Sequence, residues 1–125
     1  MGNNPKNMLQ GGAMIIRHYE DVEALTPQEP GIVGVKMRVV IGEEEGAPNF
    51  IMRHFSVEPG GQSPYHSHPW EHEVFVLKGE GEVIQGDKAF RISPGNVIYI
   101  PSGEEHQFVN KGNELMEFLC LIPRV

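Results

Sequence analysis

The sequence predicts an all-β domain built from short antiparallel strands, and three observations support this fold class. Glycine and proline account for 15 and 10 of the 125 residues, so turns are frequent along the chain. After Gly31, short apolar runs alternate with turn signals, which is the pattern of a β-sandwich or barrel. A chain of this length can bury one core and is too short for two. We therefore predict a single domain over residues 14–125.

The first part of the chain is predicted to contain little regular structure. Residues 1–13 are rich in Asn and Gly and offer almost nothing to bury, so we predict a flexible N-terminal extension there. Residues 17–25 could form one or two helical turns, which Pro27 and Pro30 would end. The expected helical content is therefore small.

The remainder of the chain is expected to contain about nine or ten short strands. The acidic tract 43–45 is predicted to be a solvated loop, and the segment 59–64 is predicted to end the strand before it. The apolar runs that we assign to strands are 32–42, 50–58, 71–79, 79–85, 89–93, 96–101, 106–110 and 114–122.

Composition and charge exclude several classes of function. Ten basic residues against 17 acidic ones give a net charge of −7, so the chain has no overall basic field for nucleic acid. No run approaches the ~20 apolar residues of a membrane span, and the N-terminus lacks the pattern of a signal peptide. The single cysteine, Cys120, is compatible with a reducing compartment. We predict a cytoplasmic protein with neither nucleic-acid nor membrane partners.

Four of the six histidines lie in two short, turn-rich segments. His66, His68 and His72 have the same parity, so an extended chain would present them on one face. His106 follows later, at the start of another predicted strand. An H-x-H pair alone is weak evidence, because histidines are common in surface turns. Four imidazoles that meet inside a small β domain would, however, form a nitrogen site for a divalent ion.

The spacing around these histidines is more specific than the histidines themselves. The first frame, with intervals of five, one, three and six residues, consists of Gly60, His66, His68, His72 and Gly79. The second frame, with intervals of five, one, two and three residues, consists of Gly95, Pro101, Gly103, His106 and Asn110. The two frames resemble the two signature motifs of the cupin superfamily, whose usual form has a glutamate where His72 stands. Every other motif position fits.

The resemblance implies a double-stranded β-helical jelly roll, with a metal ion inside the barrel. The implied ligands are His66, His68, His72 and His106. The chain is similar to the small single-domain four-histidine cupins, some of which contain manganese. One divalent ion per chain is therefore expected, with Mn favoured by the resemblance and Fe, Ni, Cu or Zn left open by the donor set.

The departure from the motif at position 72 affects the expected chemistry. Three histidines and one carboxylate would leave a divalent ion with a net charge of +1, whereas four neutral histidines leave +2 and a stronger Lewis acid. Glu73 directly follows His72 and could be mistaken for the missing glutamate. Its parity turns it to the opposite side, and the spacing to Gly79 also favours His72.

Three further residues are candidates for the lining of the cavity. Arg53 is a charged residue in the otherwise apolar run 50–58, and on an inward face it would have to pair with a group such as a substrate carboxylate. Alternatively that face is solvated and His54 points inward. The resemblance favours Arg53, and it implies that Phe118 and Cys120 line the cavity as well.

Four other residues receive structural assignments. His18 and His54 lie outside the motifs, so we assign them structural or surface roles. Tyr65 and Trp70 flank the predicted ligands, and we assign them to the rim or to a subunit contact.

The resemblance implies dioxygenase-like oxidoreductase chemistry on a small-molecule substrate, with anionic compounds among the candidates. Two alternatives stay open: a non-catalytic domain that binds or senses a small ligand, and a metal-dependent isomerase or lyase. An isomerase or lyase would need a proton shuttle, for which Glu71, Glu73 and Tyr99 are candidates. The resemblance also implies a homodimer formed through edge strands or exchanged N-terminal strands, with the apolar run 14–17 available for it.

Overall fold

Eight β-strands make up nearly all of the regular structure in the computed structural model, which describes residues 14–124. The strands are β1 Val33–Ile41, β2 Phe50–Gln62, β3 His72–Lys78, β4 Gly81–Gln85, β5 Lys88–Ile92, β6 Val97–Ile100, β7 Gln107–Val109 and β8 Met116–Pro123. Two short 3₁₀ turns, Tyr19–Asp21 and Glu43–Glu45, are the remaining elements. The all-β prediction is confirmed, while the predicted extension over residues 1–13 lies outside the described residues.

The strands pair into one curled sheet, and every pairing between them is antiparallel. Along the sheet the order is β5-β4-β7-β2-β8-β3-β6, and β1 also pairs with β2. Strand β2 has three pairing partners: β1 on one edge, β8 on the other and β7 at its end. Strands β3 and β4 are consecutive in the chain and far apart in the sheet, so the chain crosses between the two halves of the barrel.

The register of β2 against β8 decides which side chains face the interior. Arg53 lies opposite Cys120, and Phe55 lies opposite Phe118. Because side chains alternate across a strand, these two pairs share the inner face and His54 lies on the outer one. Arg53 is therefore the inward residue of the two alternatives left open by the sequence.

The interior is filled mainly by side chains of β2, β3, β7 and β8. Phe118 lies at its centre, with the ring of Phe108 at 4.7 Å and the ring of Phe55 at 5.2 Å between centroids. Stacked aromatic pairs of this kind contribute beyond their buried area. The buried core residues are Val35, Val57, Val74, Val76, Val83, Ile92, Ile100, Phe108, Met116, Phe118 and Cys120.

Two expectations about individual elements need correction. Strand β2 does not end at Glu58 but continues to Gln62, because Gly60 and Gly61 exchange backbone hydrogen bonds with Asn110. The described residues contain eight strands where nine or ten were expected, since Leu25 and His66 form only isolated bridges. The acidic tract 43–45 contains no buried residue, which agrees with the predicted solvated loop, and it forms a single 3₁₀ turn.

Asn110 is a fully buried polar residue that connects three parts of the backbone. Its Nδ2 donates to the carbonyl oxygens of Val57 and Glu114, both at 2.8 Å, and its Oδ1 accepts from the N–H of Gly112 at 2.9 Å.

Removing the amide of Asn110 would leave buried backbone groups without partners, each at a cost of about 1 kcal/mol or more. We expect Asn110→Ala to lower the free energy of unfolding by about 2–4 kcal/mol in urea titrations, and the exposed Asn113→Ala control to lower it by less than about 0.5 kcal/mol.

The outer face of β3 and β6 carries exposed apolar side chains. Phe75 is 45% exposed, and Val97 and Tyr99 are 73% and 61% exposed. Strand β6 is also an edge of the sheet. An uncovered apolar edge is compatible with the homodimer implied by the resemblance, which stays a prediction.

In residues 14–124 no helix has the length and apolar character needed to cross a bilayer.

Candidate metal centre

All four predicted ligands line one internal pocket of about 140 Å³. The pocket lies between the inner faces of β2, β7 and β8 and the connection from β2 to β3, and the segment 27–32 contributes to its wall. The three cavity residues predicted from the sequence line it too, namely Arg53, Phe118 and Cys120. A wider concavity of about 460 Å³ beside β4, β5 and β6 contains His106 but none of the other three histidines. The smaller pocket is therefore the candidate functional site.

Two backbone features bring the histidines together. His66 and His106 form an antiparallel bridge, in which each backbone N–H donates to the carbonyl of the other at 3.1 and 2.9 Å. His72 is the first residue of β3 and pairs with Ile100 of β6. Residues far apart in the chain are thus held on one side of the barrel by ordinary strand pairing.

The four imidazole rings form a compact cluster. The centroid of His66 lies 4.3 Å from that of His68 and 5.1 Å from that of His106. The centroid of His72 lies 5.3 Å from that of His68 and 4.9 Å from that of His106. Neighbouring rings bound to one ion through nitrogens at about 2.1 Å would have centroids roughly 4.6–5.3 Å apart, and rings on opposite sides of the ion about 6.5 Å apart. The centroids of His68 and His106 are 6.4 Å apart, so the spacings are close to those of one shared site.

The donor nitrogens themselves have not converged. Within residues 14–124, no three His, Cys, Asp or Glu side chains are disposed as a complete ligand group in this conformation. The rings are therefore close enough to share one ion, but with these side-chain torsions their donor nitrogens do not form a complete ligand group. Binding an ion would require the rings to turn within a cluster whose backbone is already in place.

The hydrogen bond of His106 favours the tautomer that a metal site needs. Its Nδ1 lies 2.9 Å from the carbonyl oxygen of Glu104, so Nδ1 is the protonated nitrogen and Nε2 keeps its lone pair. The Nδ1 of His72 lies 3.4 Å from Sγ of Cys120, a contact that either tautomer can make. The Nε2 of His72 is buried and has no protein partner. Four imidazoles in one pocket are a donor set that suits a divalent ion.

Burial and repulsion between neighbouring rings lower the pKa values of His68, His72 and His106 and so favour their neutral forms. Desolvation, together with the nearby His106 and Arg53, lowers the pKa of His72 from 6.5 to about 3. Desolvation also lowers the pKa values of His68 and His106. Neutral imidazoles are the form that binds metal.

This neutrality predicts acid sensitivity of the metal-free protein. In the unfolded chain these histidines bind protons below about pH 6.5, whereas the folded state resists protonation until a lower pH. The free energy of unfolding should therefore fall as the pH drops from about 6.5 toward 3, with His72 contributing up to about 1.4 kcal/mol per pH unit. Urea titrations across this range check it, and a His72→Gln variant should show a shallower dependence. Equal slopes for the two proteins would contradict the assignment.

Arg53 and Cys120 occupy the inner end of the pocket. The Nη2 of Arg53 donates to Sγ of Cys120 at 3.1 Å, and the guanidinium carbon lies 5.0 Å from the centroid of Phe55. Burial raises the pKa of the Cys120 thiol, although Arg53 opposes the effect. A neutral thiol therefore separates the guanidinium from the ring of His72.

His54 and His18 lie away from this pocket. The Nε2 of His54 is 3.0 Å from Oε1 of Glu117, and its ring stacks on Tyr19 at 4.4 Å. This buried pair holds the N-terminal segment against the outer face of the sheet. The Nδ1 of His18 accepts from the N–H of Glu20 at 3.1 Å and caps the first 3₁₀ turn.

Trp70, which the sequence assigns to the rim or to a subunit contact, contributes to the wall of the pocket. Its ring stacks on His68 at 4.7 Å with an interplanar angle of 5°. Tyr65, given the same assignment, accepts a hydrogen bond from the N–H of Gly86 and is not part of the lining. The proton-shuttle candidates Glu71, Glu73 and Tyr99 also lie outside the pocket.

Glu29 is a residue of the site that sequence reasoning missed. Its Oε2 lies 3.3 Å from Nδ1 of His66, and it is the one carboxylate in the pocket lining of the described residues. No local signal marks it, because contacts with distant residues hold its segment over the pocket. Leu25 forms a bridge with Met37, and Nε2 of Gln62 donates to the carbonyl oxygen of Gly31 at 3.1 Å. A carboxylate in this position holds the ring with Nε2 available for an ion.

Glu29 therefore supports a prediction about affinity. Outer partners of ligand histidines typically change metal affinity by about 10–100-fold. We expect Glu29→Ala to weaken binding of Zn²⁺ by about tenfold in a chelator competition titration, and Glu29→Gln to restore most of it. The exposed Glu23→Ala serves as the control, and equal affinity in all four proteins would rule out the role.

A sequence profile described as the cupin domain matches residues 53–122, which is more than half of the chain. The chain belongs to the cupin family. The jelly-roll prediction is thereby confirmed together with the superfamily. The match begins in β2, includes all four predicted ligands and ends in β8.

Solved and curated relatives agree with this membership. The polyketide cyclase RemF from Streptomyces resistomycificus has 36% identity and a TM-score of 0.84, covering 89% of this cupin and 80% of that chain. An oxalate-binding protein of Thermotoga maritima is 30% identical over 118 residues, covering 92% of this cupin and 98% of the relative. A 1-methylthio-D-xylulose 5-phosphate methylsulfurylase of Rhodospirillum rubrum is 35% identical over 71 residues. This cupin spans less than half of that enzyme's length, 46%.

Proposed function

We propose that this cupin is a metal-dependent enzyme that acts on a small carbonyl compound bound in the histidine pocket. The observation that carries the proposal is the cluster of four histidines at one end of a largely apolar pocket, with the nitrogen of His72 buried and partnerless. One divalent ion per chain, held by His66, His68, His72 and His106, would polarise a carbonyl oxygen as a Lewis acid.

The protein's own side chains supply orientation and a dry environment. Arg53 points into the pocket and forms no ion pair with a carboxylate of the described residues, so it is available to an anionic oxygen of the substrate. Phe55, Phe108 and Phe118 form an apolar wall that excludes water. Interactions between charged groups are stronger in such a site than in bulk solvent.

The named relatives support carbonyl chemistry. A polyketide is a chain rich in carbonyl groups, and the relative from Streptomyces resistomycificus is a polyketide cyclase. Oxalate is a small anion, and the relative from Thermotoga maritima is an oxalate-binding protein. The pocket of about 140 Å³ combines four imidazoles, Arg53 and an apolar wall, which suits a small anionic carbonyl compound and not a long chain.

A dioxygenase-like oxidoreductase is the second candidate. The four-nitrogen donor set favours it, because such a set accepts redox-active ions such as Mn, Fe and Cu. The two candidates differ in one requirement, since only the oxidoreductase consumes oxygen.

Deuterium exchange tests the proposal without an oxidant. The protein is loaded separately with Mn²⁺, Fe²⁺ and Zn²⁺, and deuterium incorporation next to the carbonyl of pyruvate and of pentan-2-one is followed by NMR in D₂O. We expect metal-dependent exchange that His72→Ala abolishes and His18→Ala leaves unchanged. Oxygen uptake without exchange would favour the oxidoreductase, and neither activity with any ion would overturn the enzymatic proposal.

A further inference from the structure

Three buried polar side-chain atoms in residues 14–124 have neither a hydrogen bond nor an ion pair, and all three belong to residues of one pocket. They are Nε of Arg53, Nε1 of Trp70 and Nε2 of His72. A further buried atom without a hydrogen bond, Oε1 of Glu82, lies elsewhere and is ion-paired with Nζ of Lys111 at 3.1 Å. Buried polar groups in folded proteins nearly always have a partner. Their concentration in one pocket therefore marks a place where a ligand completes the hydrogen bonding.

The three atoms have different chemical requirements. The Nε2 of His72 is a nitrogen that can bind a metal ion. The Nε of Arg53 and the Nε1 of Trp70 carry hydrogens and have no lone pair to offer, so neither can bind a cation. These two atoms need acceptors, and an ion at the histidines would leave them without partners.

The position of Arg53 restricts what the acceptor can be. Its Nη2 is already engaged by the sulfur of Cys120, which is a weak acceptor and carries no charge in the thiol form. Arg53 as a whole is only partly buried and also borders a second, open concavity beside the acidic tract 43–45, but its Nε is fully buried and has no partner. A guanidinium N–H forms its strongest hydrogen bonds with anionic oxygens, so a carboxylate is the ligand that fits this atom best.

We propose that Arg53 and Trp70 form a carboxylate-binding subsite, and that the substrate is an oxo acid whose carboxylate accepts from Nε of Arg53 and Nε1 of Trp70. The inference rests on the proposed function for placing the carbonyl group of the same molecule at the histidines. It makes Trp70 a substrate-binding residue and not a rim aromatic. Its ring has a second task, since it stacks on His68 and limits the torsions of that ring.

The single tryptophan of the chain provides a direct reporter. Its indole N–H gives one resonance, which moves downfield when the hydrogen bonds to a carboxylate. The probe is pyruvate, titrated into the full chain both loaded with Zn²⁺ and after removal of metal by a chelator. We expect a saturable downfield shift of the indole resonance in both forms.

Variants separate the hydrogen bond from the ring. Trp70→Phe keeps a ring on His68 and removes the N–H, and we expect it to weaken pyruvate binding about tenfold by calorimetry. Arg53→Met should weaken it by at least the same factor, because it removes the charge. The matched control is Tyr65→Phe, which deletes a polar hydrogen in the same connection but outside the pocket, and it should bind like the unchanged protein.

The outcomes distinguish this subsite from the proposed function. Loss of the indole shift in Trp70→Phe is automatic, so the decisive result is the affinity of that variant together with the shift in the unchanged protein. Pyruvate that binds without moving the indole resonance, or as tightly to Trp70→Phe, would overturn the subsite. Absence of saturable binding in both forms would overturn it as well. If pyruvate shifts the indole resonance but the loaded ions do not promote deuterium exchange, the subsite is retained and the proposed enzymatic function fails.

Discussion

Replacing His72 by alanine is expected to weaken the affinity for a divalent ion by at least about 100-fold. Loss of an outer partner alone typically costs about 10–100-fold, and this change removes one of four donor nitrogens. It also removes the buried Nε2 that has no other partner in the protein. Competition with a chromophoric chelator, using Zn²⁺ and Mn²⁺, measures the effect.

Two further variants show whether the loss comes from ligation. His72→Glu places at this position the carboxylate found in the usual motif of the family, so it should recover most of the affinity. His18→Ala removes an exposed histidine outside the pocket and should change nothing. Unchanged affinity in His72→Ala, measured on protein with an unaltered melting curve, would mean that the ion binds elsewhere or with other ligands.

The second large effect is expected at Gly79, which begins the connection between β3 and β4. Its φ is +75°, and a Cβ there would press against the carbonyl oxygen of Leu115 and lie 2.8 Å from Cα of Met116. Both neighbours are backbone atoms next to β8 and cannot move as a side-chain end could. We expect Gly79→Ala to lower the free energy of unfolding by about 3 kcal/mol or more, as a sum of left-handed strain and a backbone clash.

Gly86 provides the matched control, because it has a φ of +62° and open space around the position of a Cβ. Gly86→Ala should therefore cost only the strain of a left-handed backbone, about 1–2 kcal/mol. Urea unfolding of both variants measures the difference. Equal losses at the two positions would show that the packing against Leu115 and Met116 contributes nothing.

The histidine cluster shows how far local sequence can be used to predict a site. The intervals within each of the two motifs are local and indicated the cluster, whereas the bridge between His66 and His106 brings the two motifs together. For Arg53, alternation gave two equivalent faces, and the family resemblance favoured Arg53 over His54. The register of Arg53 against Cys120 of β8, a residue of the pocket lining, places Arg53 on the inner face.

Glu29 and Trp70 mark the limit of prediction from sequence. Glu29 reaches His66 because contacts with distant residues, among them the bridge between Leu25 and Met37, hold its loop over the pocket. Trp70 follows a proline in an irregular connection, where periodicity cannot assign a face. The contacts of Glu29 with His66 and of Trp70 with His68 both join segments whose relative position depends on packing between distant parts of the chain.

The sequence by itself determined the all-β class, the family and the four histidines, because turn residues, alternation and motif spacing are local features written in consecutive residues. Only the tertiary structure decided that Arg53 and Trp70 present unpartnered donors to the same pocket and that Glu29 supports His66. Those relations depend on strand register and on loops crossing the barrel mouth. Many remote contacts set such features together, so no single stretch of sequence encodes them.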